Sequence, residues 1–345
     1  MNSVPRETPA LLPSGVPEDG PAPRRRPIAV HLIGQNIGLI LALAILGLSL
    51  IIFVGLFAFE QHRLPGNFEV TSSVNNTMPL ALAACGQTLV VLTRGIDLSV
   101  GGVVDLTNAL AAIFLAGSVL HMIIVSVLIL LVGAAAGLVN GLVVGLGRLQ
   151  PIVVTLATLS IFQGLAIRAL PQPGGVVPTG YTAVLVNPNV PTALLFVVLA
   201  VLGWMALRRS RLGVAIFAVG NDEQSAVALG IRAVRTKIIA YTLAGTLYAA
   251  AGLFLAANAT SGDATTGDVY TLTSIVAVVL GGVSLFGGRG SAVGAICGAF
   301  ITTMIVNILF YAHINPLYQS FYEGLFLVIA VVLGSAVGSF ARRGR

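Results

Sequence analysis

Residues Thr88–Leu106 read TLVVLTRGIDLSVGGVVDL. Arg94 and Asp97 interrupt sequence that is otherwise almost wholly apolar, and their placement decides how the chain is threaded. A helix crosses a bilayer with about 20 apolar residues, so the stretch 77–118 is too long for one crossing and long enough for two. The charged pair therefore predicts a turn between two helices. Gly95 supplies the left-handed residue that ends the first helix. Asp97 accepts a hydrogen bond from the backbone N–H of Ser99 or Val100 and starts the second. In this reading the turn lies at the cytoplasmic face. A second reading places Asp97 deeper, at a broken helix lining a path, because ionisable groups inside spans are rare and functional.

The rest of the chain has the same character. Of 345 residues, 57% are hydrophobic and 9% charged, with a mean hydropathy of +0.98. A soluble domain carries about a quarter charged residues, so this composition describes a polytopic membrane protein. Dividing the apolar windows at Gly, Pro and polar clusters gives spans at 37–59, 77–94, 100–118, 121–146, 151–169, 192–208, 238–258, 271–287, 291–311 and 321–339, about ten helices of bilayer length. The expected fold is all-α, a polytopic helical bundle in the bilayer. Residues 1–34, rich in Pro and Gly and holding Arg24, Arg25 and Arg26, form a disordered tail ahead of a transmembrane domain over 35–341.

Threading the chain with the Arg24 cluster inside places Arg94, Arg148, Arg208, Arg209, Arg211, Arg232, Arg235, Lys237, Arg289, Arg342, Arg343 and Arg345 on that side, and leaves Arg63 and Arg168 outside. This is the positive-inside asymmetry, and it puts both termini in the cytoplasm. The net charge of +6 thus reports topology and not a nucleic-acid partner.

Catalytic constellations are absent from the sequence. His31, His62, His121 and His313 are scattered, and Cys85 and Cys297 lie in apolar segments as small buried residues. Adjacent Asp222 and Glu223 point about 100 degrees apart on a helix and do not make an acid/base pair. Lys237 is the only lysine, and no glycine-rich loop precedes it, so the chain has no phosphate-binding loop for ATP. An ATP motor would be another polypeptide.

One inner connection, 209–237, is both charged and patterned as a helix. Within GVAIFAVGNDEQSAVALGIRAVRTK (213–237), Asn221 is expected to cap a helix opening with Asp222, Glu223 and Gln224, where the helix dipole favours acids. Gly230 ends it, and Ala226, Val227 and Leu229 give it an apolar face. A short amphipathic helix of this kind fits a groove in a protein partner better than a lipid surface, which selects basic and bulky residues. Elsewhere, GLVNGLVVGLGRLQP (137–151) and GGVSLFGGRGSAVGAICGAF (281–300) are rich in small residues that allow close helix packing, including Gly294 with Gly298. Asn140, Asn258 and Asn307 are uncharged polar groups on apolar helices. Each serves either as an interhelical hydrogen bond or as a contact for a polar solute in the pathway.

Four separated segments carry a resemblance: TRGIDLSVGG (93–102), GLVNGLVV with LQPIVVTLATLSIFQGLA (137–166), VGNDEQSAVALGI (219–231) and AVVLGGVSLFGGRGSAVGAICGAFI (277–301). In this order they resemble the signatures of integral-membrane permeases of bacterial ABC importers of the ribose/xylose/arabinose/galactoside type, over about residues 70–335. The resemblance implies a permease subunit in the bacterial plasma (inner) membrane, paired with itself or a close relative. It also implies two ABC ATPase subunits below, which bind ATP and Mg, and an extracytoplasmic solute-binding protein above; no cofactor is bound by this chain. The turn motif falls on Gly95, Asp97, Ser99 and Gly101. The segment between spans six and seven corresponds to a cytoplasmic coupling helix, with Gly220, Asn221, Glu223, Ala226 and Gly230 at the ATPase-coupling positions. The cargo implied is a sugar or related small polyol. The rival class is a stand-alone secondary transporter driven by an ion gradient, for which Asp97, Asp105 and Glu323 are the available carboxylates.

Overall fold

The computed structural model describes residues 28–315 and, beyond them, Tyr318, Phe321, Tyr322, Gly324, Leu325 and Val328. The chain divides into units at residues 1–35 and 36–345, and the account below concerns the second. Its described residues form helices joined by short connections: α1 (Ile28–Gln61), which begins in the first unit, then α2 (Asn67–Leu92), α3 (Val100–Phe114), α4 (Val119–Gly147), α5 (Pro151–Ala169), α6 (Thr179–Leu185), α7 (Thr192–Arg209), α8 (Arg211–Asn221), α9 (Glu223–Ala228), α10 (Ala233–Ala259), α11 (Tyr270–Leu280) and α12 (Ala292–Tyr311). Helix α1 thus reaches back into the stretch 1–34, and the span expected at 321–339 falls largely outside the described residues.

Among the described residues, six helices are long and apolar enough to cross a membrane: α1 from Gly38, α4, α5, α7, α10 and α12. Helix α2 has 26 residues, but its first turns carry Asn67, Glu69, Thr71, Ser72, Ser73, Asn75 and Asn76, which lower its hydropathy. Two expected spans are corrected. In place of 100–118 there is a 15-residue helix, and in place of 271–287 an 11-residue one. At 1.5 Å per residue these rise about 22 and 16 Å, short of the hydrocarbon thickness of about 30 Å. The causes are local. Helix α3 starts at Val100 as expected but stops at Phe114, ahead of Ser118, which already caps α4 by accepting from the His121 N–H, and α11 stops at Leu280 ahead of Gly282 at φ +73°.

Helix α10 is the spine. Its residues Tyr248 and Ala244 pack on Gly86 of α2, and Tyr241 packs on Gly95, so the two helices run antiparallel. Helix α3 then returns alongside α10, with Thr107 and Asn108 against Gly252. The glycines of α4 press on the same helix: Gly137 and Gly141 meet the backbone at Tyr241 and Ile238. A methyl group there would collide with main chain, which is why the 137–151 segment carries small residues. Gly294 and Gly298 play the corresponding part where α12 meets the carbonyls of Gly281 and Ala277. Buried Met78, Val90, Val104, Tyr241, Tyr248 and Phe254 fill the core between α2, α3 and α10.

Candidate functional site: a charged turn clamped to two short helices

The turn after α2 is built by an arginine. Arg94 adopts φ +65°, with its N–H on the Val91 carbonyl at 2.9 Å, while the Gly95 N–H reaches the Val90 carbonyl at 3.1 Å. This pair of bonds closes the helix with a left-handed residue at its end. The expectation that Gly95 takes the left-handed conformation is therefore corrected. Gly95 is needed for another reason, since a Cβ would stand 2.6 Å from the Tyr241 hydroxyl.

The left-handed turn aims the exposed Arg94 side chain at the end of α8. Its Nε donates to the Gly220 carbonyl at 2.8 Å, and a terminal nitrogen donates to the Asn221 carbonyl. A guanidinium at the C-terminus of a helix meets both the unpaired carbonyls and the negative end of the dipole. Gly220 allows this approach, because a Cβ would collide with the Leu92 carbonyl and the backbone of Gly288. The Gly288 N–H in turn bonds the Leu92 carbonyl at 3.1 Å. The ends of α2 and α8 and the glycine-rich loop 281–291 thus meet at one point.

Two helices occupy 209–237 where one was expected, and the cap is corrected from Asn221 to Asp222. Asn221 is the last residue of α8, and its amide donates back to the Phe217 carbonyl at 2.9 Å. Asp222 caps α9, accepting from the N–H groups of Gln224 at 3.0 Å and Ser225 at 3.4 Å and from the Ser225 hydroxyl at 2.6 Å. The Ser225 side-chain bond, then the backbone bonds, hold the Asp222 carboxyl below its ordinary range. Glu223 pairs with Lys237 of α10 at 2.7 Å. Ala226 is buried against Val219 and Ala233, while Val227 and Leu229 point outward, Leu229 with 82% of its surface exposed. Gly230 ends the helix at φ +84°, with the Ile231 N–H on the Ala226 carbonyl at 3.0 Å. In the glycine-rich loop that meets the end of α8, Phe286 is 85% exposed.

Behind Arg94 the break between α2 and α3 is sealed. Asp97 is completely buried, and its Oδ1 accepts from the Ser99 N–H at 2.9 Å and the Ser99 hydroxyl at 2.6 Å. The Asn140 amide of α4 donates to the same hydroxyl at 2.8 Å. The Gln87 amide, with its nitrogen toward the acceptors, bonds both the C=O and the N–H of Asp97, at 3.1 and 3.3 Å, and the Tyr248 hydroxyl at 3.1 Å. Asp97 therefore makes the local bond expected of it, yet inside the protein and not on an exposed turn. Gly101 lies against Thr271 and Gly267, where a Cβ would collide with the Thr271 hydroxyl.

Each of the three asparagines makes an interhelical bond. Asn140 reaches Ser99, Asn258 donates to the Asn75 carbonyl at 2.9 Å, and Asn307 donates to the Ser73 hydroxyl at 3.3 Å. Asn140 is wholly buried, whereas Asn258 borders a cavity with Phe68, Ser72, Asn75 and Thr182. Gln87 and the Arg94–Gly220 contact were missed from sequence. Among the described residues no group of His, Cys, Asp and Glu could hold a metal ion.

A family model described as the branched-chain amino acid transport system / permease component matches residues 70–331. The chain belongs to this permease family. The ribose import permease protein RbsC of Escherichia coli is 35% identical over 301 residues, covering 83% of this chain and 92% of the relative. RbsC of Bacillus subtilis is 36% identical over 262 residues, 73% and 80% of the two chains. The autoinducer 2 import system permease protein LsrC of Escherichia coli is 34% identical over 274 residues, 76% and 78%. No solved structure matches the permease. It is a multi-pass permease component of an ABC importer, a transport subunit and not an ATPase.

Proposed function

We propose that this permease forms the translocation path for a sugar or related small polyol, delivered by an external solute-binding protein and driven by two separate ABC ATPase subunits that bind ATP and Mg. The observation that carries the reading is the clamp from Arg94 to the end of α8, followed directly by α9 with its outward Val227 and Leu229. An ATPase gripping α9 would move α8 with it. The Arg94 contacts and the Gly288–Leu92 bond would pass that motion to the ends of α2 and α3. Gly220, Asn221, Glu223, Ala226 and Gly230 are in this reading the joint of a lever: close approach, carbonyl for Arg94, tie to α10, inward anchor and helix stop.

The pathway would lie between two permease copies, or between this chain and a close relative. Both termini would be cytoplasmic in a bacterial inner membrane, as the arginine distribution indicates. The transported class is supported by the relatives, whose names assign them ribose and autoinducer 2 import. The test is uptake into proteoliposomes of the permease reconstituted with its co-purifying ATPase and binding protein, using labelled D-ribose among a panel of pentoses, hexoses and pentitols. ATP-dependent uptake insensitive to ionophores is expected. Substituting Gly230→Val, which forces a branched side chain into a left-handed position, is expected to uncouple ATP hydrolysis from transport with the fold retained. Uptake that needs no ATP and collapses with ionophore would replace this reading with a gradient-driven transporter.

A further inference from the structure

The loop 260–269 between α10 and α11 carries Asp268, whose carboxylate oxygens both accept from the Gln163 amide nitrogen, at 2.9 and 2.8 Å. Gln163 belongs to α5, a helix of span length whose midpoint is residue 160, so it lies about 4.5 Å past the centre of that helix. The carboxylate held by Gln163 shares that depth. Asp268 is exposed, and Ser160, Gly164, Thr265 and Thr266 around it are exposed as well. An ionised carboxylate facing acyl chains there costs about 3 kcal/mol or more, and no ion pair to Asp268 exists among the described residues.

Behind Asp268 stands a second carboxyl. Asp105 of α3 is completely buried, and its Oδ1 accepts from the Gly267 N–H at 2.6 Å. Its Oδ2 has no donor, and the Asp268 carboxylate beside it is another acceptor. The site therefore sets two carboxylates behind a rim of mixed character, with exposed Ser160, Thr265 and Thr266 beside exposed Val269 and Leu272.

Building on the reading of the permease as a polyol carrier, we propose that this face lines the water-filled path and that Asp268, held by Gln163, is a contact for the hydroxyl groups of the passing solute. Vicinal hydroxyls donate to the outward lone pairs of Asp268, and the helix face with Ser160 and Gly164 leaves room for a ring or an extended polyol. Asp105 is a positioning residue, fixing Gly267 and so the carboxylate that follows it.

The test uses the full-length permease in its native membranes, with Cys85→Ala and Cys297→Ala as background. A single Thr266→Cys is introduced beside the site and Leu131→Cys as a control on an exposed apolar face of α4. A membrane-impermeant thiosulfonate is expected to label position 266 much faster than 131, and one or more of the pentoses, hexoses and pentitols named above to slow that labelling several-fold. Adding Asp268→Asn is expected to abolish the protection while leaving the labelling. Labelling of 266 no faster than 131, protection by sodium in place of choline without any by polyol, no protection by any solute of the panel, or protection unchanged by Asp268→Asn would each overturn the proposal. Failure of the importer reading shows separately, as uptake independent of ATP, and leaves the labelling result standing.

Discussion

Two breaks in the helical bundle solve one problem in different ways. Non-helical backbone among apolar helices leaves N–H and C=O groups without water, and each must find a partner inside the protein. At 93–99 the groups around Asp97 are served from nearby, since Asp97 serves Ser99 and Gln87 serves both backbone groups of Asp97, and one distant hydroxyl, Thr155 of α5, accepts from the Leu98 N–H at 3.0 Å and donates to the Ile96 carbonyl at 3.3 Å. At 260–269 local bonds such as Thr265 N–H to Asp263 at 2.9 Å are joined by several from far away. Asp105 accepts from Gly267, Asn108 accepts from the Asp263 N–H at 2.8 Å, and Gly262 exchanges backbone bonds with Gly174. The first break is closed around a buried carboxylate, while the second presents Asp268 outward. Polar residues in apolar sequence thus mark irregular backbone, and exposure decides whether they also face a path.

Substitutions at the two breaks separate these accounts. The largest effect is expected from Gln87→Leu, which strands two backbone groups of Asp97 at about 1–3 kcal/mol each and lowers the thermal unfolding temperature in detergent accordingly. A stability equal to wild type would show that the amide does not seal the break. At the second break, Asp105→Ala strands one N–H and costs about 1–3 kcal/mol, whereas Asp105→Asn keeps the acceptor and restores most of it. Equal losses for the two variants would mean that the charge, and not the bond to Gly267, is what matters.

Smaller effects are expected at the clamp outside the first break. Arg94→Ala removes two bonds to the end of α8 from an exposed side chain, about 1 kcal/mol, so its signature is faster proteolysis within 209–237 and not global unfolding. The smallest concerns acid. The folded Asp222 carboxyl is held below its ordinary range, so its contribution to α9 is complete above that range and lost as pH falls through the folded value. Amide exchange at Gln224 and Ser225, corrected for intrinsic rates, is expected to stay protected at pH 5–7 and to lose protection only below the ordinary carboxylate range. Loss of protection already at pH 6 would contradict the cap.

How far the sequence revealed these features follows from the range of each interaction. The α9 helix, its stop at Gly230 and the Asp97–Ser99 bond depend on residues two to five apart, and local spacing displays them. Asn221 and Asp222 are both good caps, and sequence alone favoured the wrong one because it could not show α8 running on to Asn221. The half-length α3 and α11 were read as full spans because hydropathy counts apolar residues and is blind to where backbone bonds stop. Arg94 reaching Gly220, 126 residues on, and Asp105 reaching Gly267, 162 residues on, leave no local trace.

The central claim is that α9 is the handle by which a separate ATPase moves this permease. The most direct measurement is affinity purification of the tagged permease from native membranes in mild detergent, comparing wild type with Leu229→Asp, and with an ATPase assay on each eluate. Leu229 makes no contribution to the core, so the variant is expected to fold normally and to lose the ATPase subunit and its activity. An ATPase retained undiminished by Leu229→Asp, or wild-type permease emerging with no ATPase at all, would contradict the account.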